Sequence, residues 1–286
     1  MIGLLAGIVL APLLPGTIQT LKARAQGRRG TSPLQPYRMY KRLWGKSAVD
    51  PAGTGPVYRI APALVAACLL GALALLPISG ALGLGHDAFA LVGLLALARF
   101  ALAASAWDTG NGFALMGAAR DLSLAVFVEA LLALALLLAA QPAHSTDLLA
   151  MRDAAGGLWD EPAHWCALLA FALVIVAETG RQPVDNPDTH LELTMIHEGP
   201  LLEYAGRDLA YLHWAAAARH WVVLVLAAEL FLPRGGPLGL AAALLGLCVA
   251  LAAVETAQAK MRILRVPALL GLGVLVALAG AGAWLA

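Results

Sequence analysis

Charge is scarce in this chain: 13% of its 286 residues are Asp, Glu, Lys or Arg, against 60% that are hydrophobic. With a mean hydropathy of +0.78, that scarcity excludes an ordinary soluble domain and places the chain among integral membrane proteins. Cysteine is nearly absent too. Cys68, Cys166 and Cys248 stand singly inside apolar runs, so they read as small buried hydrophobes. No cysteine pair or cluster has iron–sulfur spacing, and disulfide or metal roles are not expected. No G-x-G-x-x-G and no P-loop occurs, nor a serine or cysteine nucleophile evidently paired with an internal histidine. His164, His213 and His220 fall at or near the ends of the expected helices, which argues against a bis-histidine haem at mid-membrane. No nucleic-acid partner is expected.

What is present is apolar sequence in span-length pieces. About 20 apolar residues cross the hydrocarbon core as a helix, and eight segments qualify: about 2–21, 59–79, 88–107, 121–140, 162–180, 215–232, 236–257 and 266–286. Lipid offers backbone N–H and C=O groups no partner, so each is expected to be helical. The expected fold is therefore all-α, one polytopic membrane bundle of about eight transmembrane helices forming a single domain over 1–286. The first segment lacks a basic leading region and contains Pro12 and Pro15; it reads as a retained helix.

The basic residues are asymmetric. Sixteen of the nineteen lie in the segments joining spans 1 and 2, 3 and 4, 5 and 6, and 7 and 8, counting Arg59 and Arg219 at the adjoining span ends. The positive-inside rule puts those loops in the cytoplasm and both termini outside, in the periplasm of a bacterial plasma (inner) membrane. The cytoplasmic basic arm, 22–58, includes Tyr37-Arg-Met-Tyr-Lys-Arg-Leu-Trp44. Its aromatic and apolar positions alternate with bases at helical spacing, which suits an amphipathic helix on the membrane surface; a basic anchor that only fixes topology is the alternative, and the two are compatible. The stretch Trp107–Gly117 is Gly-rich, fit for close backbone packing or turns with positive φ.

The cytoplasmic acidic loop, 181–214, is the densest chemistry in the chain. From Glu178 to Glu203 run Asp185, Asp188, His190, Glu192, His197 and Glu198. Asn186-Pro187 fits a helix start, so 187–198 is expected to form a short helix broken at Gly199-Pro200. A second short helix, 201–205, would stop at Gly206. Inside the spans lie Arg99, Glu129, Glu229 and Glu255. One charge at mid-bilayer costs on the order of 3 kcal/mol on insertion scales, so such groups must pair, neutralise or face internal water. Two readings stand: an Arg99–Glu129 ion pair between neighbouring helices, or a hydrated chain of proton-exchanging carboxylates, the favoured one.

The run Ala177-Glu-Thr-Gly-Arg-Gln-Pro-Val-Asp-Asn-Pro-Asp-Thr-His190 closely resembles the membrane subunit of formate hydrogenlyase and group 4 nickel–iron hydrogenases. His197-Glu, Leu202-Glu-Tyr-Ala-Gly206, Gly27-Arg-Arg-Gly-Thr-Ser-Pro-Leu-Gln-Pro-Tyr37, Leu97-Ala-Arg-Phe100, Asp108-Thr-Gly110 and Gly117-Ala-Ala-Arg120 extend the match. Glu255-Thr, Ala259-Lys-Met-Arg262 and Arg265-Val-Pro267 complete it. The hydrogenase membrane subunit is homologous to subunit 1 of respiratory complex I. Quinone-reducing relatives typically carry Phe-Asp-Leu-Pro-Glu-Ala-Glu where this chain has Asn-Pro-Asp-Thr-His, which favours the hydrogenase version.

The resemblance implies a complex I subunit 1-like bundle that anchors a cytoplasmic hydrogenase arm and couples its chemistry to proton movement. Hydrogenase large and small subunits, an iron–sulfur protein and antiporter-like membrane subunits are the implied partners, with the lipid bilayer around them. The nickel–iron centre and iron–sulfur clusters would sit in those partners, with no cofactor, catalytic residue or metal site in this chain. Glu178, Asp185, Glu192, Glu198 and Glu203 are the implied entrance of a proton path, with Arg99, Asp108, Glu129 and Glu255 deeper. Arg28, Arg29, Gln35, Arg181, Asp188, His190 and His197 are the implied docking residues. The competing readings are a quinone-binding subunit 1 of an NADH dehydrogenase-like complex, a secondary transporter, and an intramembrane prenyltransferase holding Mg²⁺ or Zn²⁺ on Asp185, Asp188, His190 and Glu192.

Overall fold

The computed structural model describes residues 2–79, 85–186, 195–233 and 235–285, and among them the only β-contact is an isolated bridge between Asp87 and Asp147. Eleven α-helices follow in order among these residues. They are α1 (Ile2–Leu10), α2 (Leu13–Ala25), α3 (Gln35–Trp44), α4 (Pro56–Leu75), α5 (Ala88–Thr109), α6 (Gly112–Ala140), α7 (Leu148–Ala154), α8 (Pro162–Glu178), α9 (Gly206–Phe231), α10 (Gly236–Ala257) and α11 (Val266–Leu285).

Six of them, α4, α5, α6, α9, α10 and α11, are long and apolar enough to cross a membrane. The first expected span is in fact α1 and α2, bent by 45° at their junction. Pro12 has no N–H to continue the helical ladder there, and prolines are the commonest cause of such kinks. Counted as one span, the pair makes a seventh crossing. The remaining expected span is α8, whose 17 residues lie at the short limit of a crossing helix.

Polar caps set the helix starts. Asp87 accepts from the backbone N–H of Ala90 at 2.8 Å, Asn111 from that of Phe113 at 2.8 Å, and Asp147 from that of Leu149 at 3.0 Å, each satisfying an orphan donor of a first turn. Gly110 ends α5 in the left-handed conformation at φ 67°, and Asn111 immediately opens α6. The expected Gly-rich loop thus shrinks to a tight turn. α9 is the central post, with 78% of its apolar window buried, whereas α10 has 22% and leaves most of its surface exposed.

Three expectations change. The short helix expected over 187–198 falls largely on 187–194, outside the described residues, and 195–198 are not helical. The helix expected over 201–205 is replaced by a 3-10 turn at Gly199–Leu201. Gly206 opens α9 instead of ending a helix. A Cβ at Gly206 would lie 2.6 Å from the Ser47 carbonyl oxygen, and its φ is +57°, so glycine is demanded by the close approach of the arm. Because α9 starts at 206 and not near 215, His213 and His220 lie within it, away from its ends.

The arm helix α3 also differs from a purely membrane-surface element. Its aromatic positions engage protein: Tyr37 Oη donates to the Val9 carbonyl at 2.5 Å, Tyr40 Oη to the His213 carbonyl at 3.3 Å, and Trp44 stands edge-on to Tyr211 at 5.3 Å. Arg38, Lys41 and Arg42 remain exposed.

The 3-10 turn sits directly on α6: a Cβ at Gly117 would be 2.7 Å from Gly199 Cα. Gly117→Leu should therefore displace the turn, with an overpacking cost of about 1–3 kcal/mol. The thermal midpoint of the solubilised chain should fall, and an unchanged midpoint would contradict this contact.

Candidate functional site

Charged side chains converge where the segment after α8 meets α5, α6, α9 and α10. Arg99, midway along α5 and 5% exposed, is the hub. Its Nη2 donates to Glu178 Oε1 at 2.8 Å and its Nη1 to Glu129 Oε1 at 3.1 Å, while Nε lies 3.6 Å from Asp121 Oδ2. Arg219 of α9 holds the other oxygen of Glu178, Oε2, at 2.6 Å. Glu178 is thereby clamped between two guanidinium groups with a side chain only 1% exposed. Desolvating a carboxylate so fully is costly unless the charge is paired and hydrogen-bonded. The Arg99–Glu129 pair raised by the sequence is present, as one edge of a larger network.

A second group lies beside it. Arg181 Nη1 is 3.2 Å from Glu255 Oε1, and Lys22 Nζ of α2 is 3.4 Å from Glu255 Oε2. Arg181 Nε donates to His220 Nε2 at 3.4 Å, and the His220 Nδ1 contacts the Ala216 carbonyl at 2.9 Å. The carbonyl only accepts, so Nδ1 carries the proton and Nε2 is free to accept.

The third group joins loop to bundle. Asp185 accepts from Lys260 Nζ at 2.7 Å, from the backbone N–H of Asn186 at 2.8 Å and from that of His197 at 3.3 Å. His197 Nδ1 is 3.2 Å from Asp185 Oδ2, and Nε2 is 3.7 Å from Asp121 Oδ1. Burial on its own would raise the Asp185 pKa, but hydrogen bonds and charge from His197 and Lys260 outweigh it and hold the carboxyl well below its ordinary range. Burial likewise opposes a charged His197, yet the hydrogen bond to Asp185 and the charges of Asp121 and Asp185 prevail and raise its pKa above 6.5.

Among the described residues, these three groups link five bases (Lys22, Arg99, Arg181, Arg219, Lys260) with five carboxylates (Asp121, Glu129, Glu178, Asp185, Glu255). Counted over these ten described side chains, the formal charges sum to zero. A cavity of about 180 Å³ touches Arg99, Asp121, Glu178, Asp185, His197 and Arg219. A larger one, about 680 Å³, opens between α2, α3 and α9, is lined by Gln35, Tyr40 and Glu198, and shares Arg181, His213 and His220 with the first.

Not every expected residue joins. Asp108 accepts from the backbone N–H of Tyr58 at 2.8 Å, capping α4 from a neighbouring helix. Glu203 receives the Asn111 side-chain amide, and its carbonyl accepts from Tyr58 Oη at 2.7 Å. Both belong to a cluster around the stacked Tyr58–Tyr204 pair, whose rings are 4.3 Å apart, separate from the ion pairs about Arg99. Asp108 thus marks the end of α5, and is not deep in the bundle. Glu229, near the end of α9, has its own pair with Arg152 at 3.8 Å. Arg28 and Arg29 are exposed on the arm. Asp188, His190 and Glu192 lie outside the described residues.

Lys22, Asp121, Arg219, His220 and Lys260 were missed. Lys22, Lys260 and Arg219 are all absorbed into the positive-inside count. The usable signal was the Asp121–Glu129 spacing, which puts two carboxylates on one face of a continuous helix.

An all-helical, multi-pass bundle with a buried ion network beneath a docked loop defines a membrane subunit with protein-borne charges inside the bilayer. A family model described as NADH dehydrogenase matches residues 1–286, and the chain belongs to that family. It is 37% identical over 251 residues to hydrogenase-4 component C of Escherichia coli (strain K12), covering 85% of this chain and 78% of that protein. It is 34% identical over 238 residues to formate hydrogenlyase subunit 4 of the same strain, covering 79% and 74%. The fold matches a chain of the membrane-bound sulfane sulfur reductase, an archaeal respiratory membrane complex, with TM-score 0.84 over 97% and 95% of the two chains at 21% identity.

Two outcomes follow from the geometry. Arg99→Met strips the countercharge from Glu178 and Asp121, and breaking such a buried pair costs roughly 3–5 kcal/mol. The variant should have a much lower thermal midpoint than the parent chain, and equal midpoints would contradict the hub role. The Asp185–His197 clamp has a defined pH window. His197 contributes fully below its ordinary 6.5 and loses that contribution as pH rises through its raised value, while Asp185 contributes above 3.8 and loses it as pH falls through its lowered one. Amide exchange at 195–198 should thus accelerate, beyond its intrinsic rise, as pH is raised above 6.5 through the raised pKa of His197. If His197→Asn shows the same extra acceleration, the clamp is not the cause.

Proposed function

We propose that this chain is the integral membrane subunit of a membrane-bound, formate hydrogenlyase-like hydrogenase complex. It anchors a nickel–iron and iron–sulfur arm and couples that arm's redox chemistry to proton movement. The observation that carries the reading is the continuity of the ion network. Asp185 and His197 lie in the loop segment, Asp121 and Arg99 in the bundle, and Glu129 on α6 reaches outward with a side chain 31% exposed. The similarity to hydrogenase-4 component C and formate hydrogenlyase subunit 4 over most of the chain supports the hydrogenase assignment.

In this reading the basic arm and the acidic loop face the cytoplasm, and both termini face the periplasm of a bacterial inner membrane. The exposed Arg28 and Arg29, together with Arg38, Lys41 and Arg42 on α3, offer a basic surface to hydrogenase large and small subunits and an iron–sulfur protein. Antiporter-like subunits pack alongside in the membrane. The nickel–iron centre and clusters belong to the partners, and this chain supplies charge placement. A change of cluster charge beside the loop shifts proton affinity at His197 and the carboxylates, and Arg99 transmits that shift between Asp121, Glu178 and Glu129 through shared hydrogen bonds.

A second reading, a quinone-binding subunit of an NADH dehydrogenase-like complex, is favoured by one observation. The 680 Å³ cavity has apolar walls with Tyr40, His213 and Arg181 among them, a size and lining suited to a small amphiphile.

Glu129→Gln should leave the complex assembled and lower proton movement per hydrogen turned over. Proton movement equal to the parent's, with hydrogenase activity retained, would overturn the path through Glu129. Affinity purification of the intact chain should bring down nickel and iron–sulfur subunits; a quinone-reactive complex without nickel would select the second reading.

A further inference from the structure

Asp185 is acceptor-only and fully committed. Its two oxygens take Lys260 Nζ, the Asn186 and His197 backbone N–H groups and the His197 ring. The ring nitrogen facing it, Nδ1, must therefore carry a hydrogen in both charge states of the imidazole. That leaves Nε2 as the only position on the ring whose proton can come and go. Nε2 points at Asp121, 3.7 Å from Oδ1, and the other oxygen of Asp121 is 3.6 Å from Arg99 Nε. A shift of about 0.5 Å brings Nε2 and Oδ1 to hydrogen-bond distance.

We propose that Nε2 of His197 is a proton-exchanging atom at the junction of loop and bundle, with Asp121 as its exchange partner and Asp185 as the positioning residue that fixes the ring. This rests on the coupling reading above. In the forward step the Nε2–H bond of the imidazolium breaks and an Oδ1–H bond forms on Asp121, leaving a neutral imidazole and a neutral carboxyl. The ring regains a proton at Nε2 from a hydronium ion reaching it through the adjoining cavity of about 180 Å³, the hydronium leaving as water. Protonating Asp121 removes one of the three carboxylates about Arg99, so the guanidinium is left to Glu178 and Glu129.

The surrounding charges suit an exchange site. Asp121 of α6 and Asp185 favour the charged ring and Arg99 of α5 opposes it; Arg181, with Arg219 and the neutral His220 of α9, lines the same cavity. Glu198 follows in the chain and lines both cavities. Asp185 is a poor proton acceptor, because Lys260 and His197 hold its pKa far below the ordinary range. The arrangement parallels a histidine whose one nitrogen is held by a carboxylate while the other performs the proton transfer.

The test combines nitrogen-15 NMR of histidine-labelled full chain in lipid nanodiscs with proton movement by the assembled complex. One histidine, identified by its loss in His197→Asn, should titrate above pH 6.5 and keep Nδ1 protonated in its neutral form. Asp185→Asn should weaken its proton binding by about tenfold and mix the two tautomers. Asp121→Asn should weaken proton binding with the tautomer unchanged. A neutral ring protonated at Nε2, or a titration indifferent to both substitutions, overturns the proposal. In the complex, His197→Asn should slow coupled proton movement roughly tenfold or more with assembly intact on a native gel; movement at the parent's rate and pH profile overturns it. A parent complex that moves no protons overturns the coupling reading instead, and the NMR titration still decides the ring's partners and tautomer.

Discussion

The pairing of Arg99 with three carboxylates is the constraint around which the rest of the bundle is arranged. A lone guanidinium this deep between apolar helices would cost on the order of 3 kcal/mol on insertion scales, and Glu178 buried without it would cost more. Satisfying both requires α5, α6, α8 and α9 to meet at one depth, since Arg99, Asp121 with Glu129, Glu178 and Arg219 come from those four helices. Pairing makes the network stable, and shared partners make it responsive, because a proton added to one carboxylate alters the field at its neighbours.

Around that hub, close backbone approaches hold the loop in place. Gly117 lets the 3-10 turn at Gly199–Leu201 rest on α6, and Gly206 lets the arm backbone at Ser47 rest on the start of α9. Arg120 Nη1 donates to the Met195 carbonyl at 3.2 Å, and the Met261 N–H donates to the Pro183 carbonyl at 2.9 Å. His197 and Asp185 are thus carried by a loop anchored to α6 on one side and to the α10–α11 connection on the other. A rigidly held ring with one committed nitrogen is what directional proton exchange needs.

Hydropathy alone located nearly every span, because lipid permits only helices and about 20 residues suffice. It also exposed Arg99, Glu129 and Glu255 as charges in the wrong solvent. It failed where tertiary contact overrode a local signal. Gly206 looks like a helix terminator until the Ser47 carbonyl is placed beside it. Asp108, which the family resemblance implied to lie deep in the path, instead holds the Tyr58 N–H on its carboxylate at the end of α5. Lys22 and Lys260 have a sufficient local explanation as topology anchors, which hid their pairing with Glu255 and Asp185. A one-dimensional pattern carries the cost of a charge; which partner relieves that cost is fixed only by the packing.

The most direct test of the account is the number of protons bound when the assembled complex is reduced, followed with a pH-indicator dye in a weakly buffered vesicle suspension. If the proposed coupling holds, reduction of a partner centre close to the network should drive proton uptake, with an uptake that changes as pH rises above 6.5 through the raised pKa of His197. Reduction without proton uptake at any pH in that range would contradict the claim that this subunit couples redox charge to proton movement.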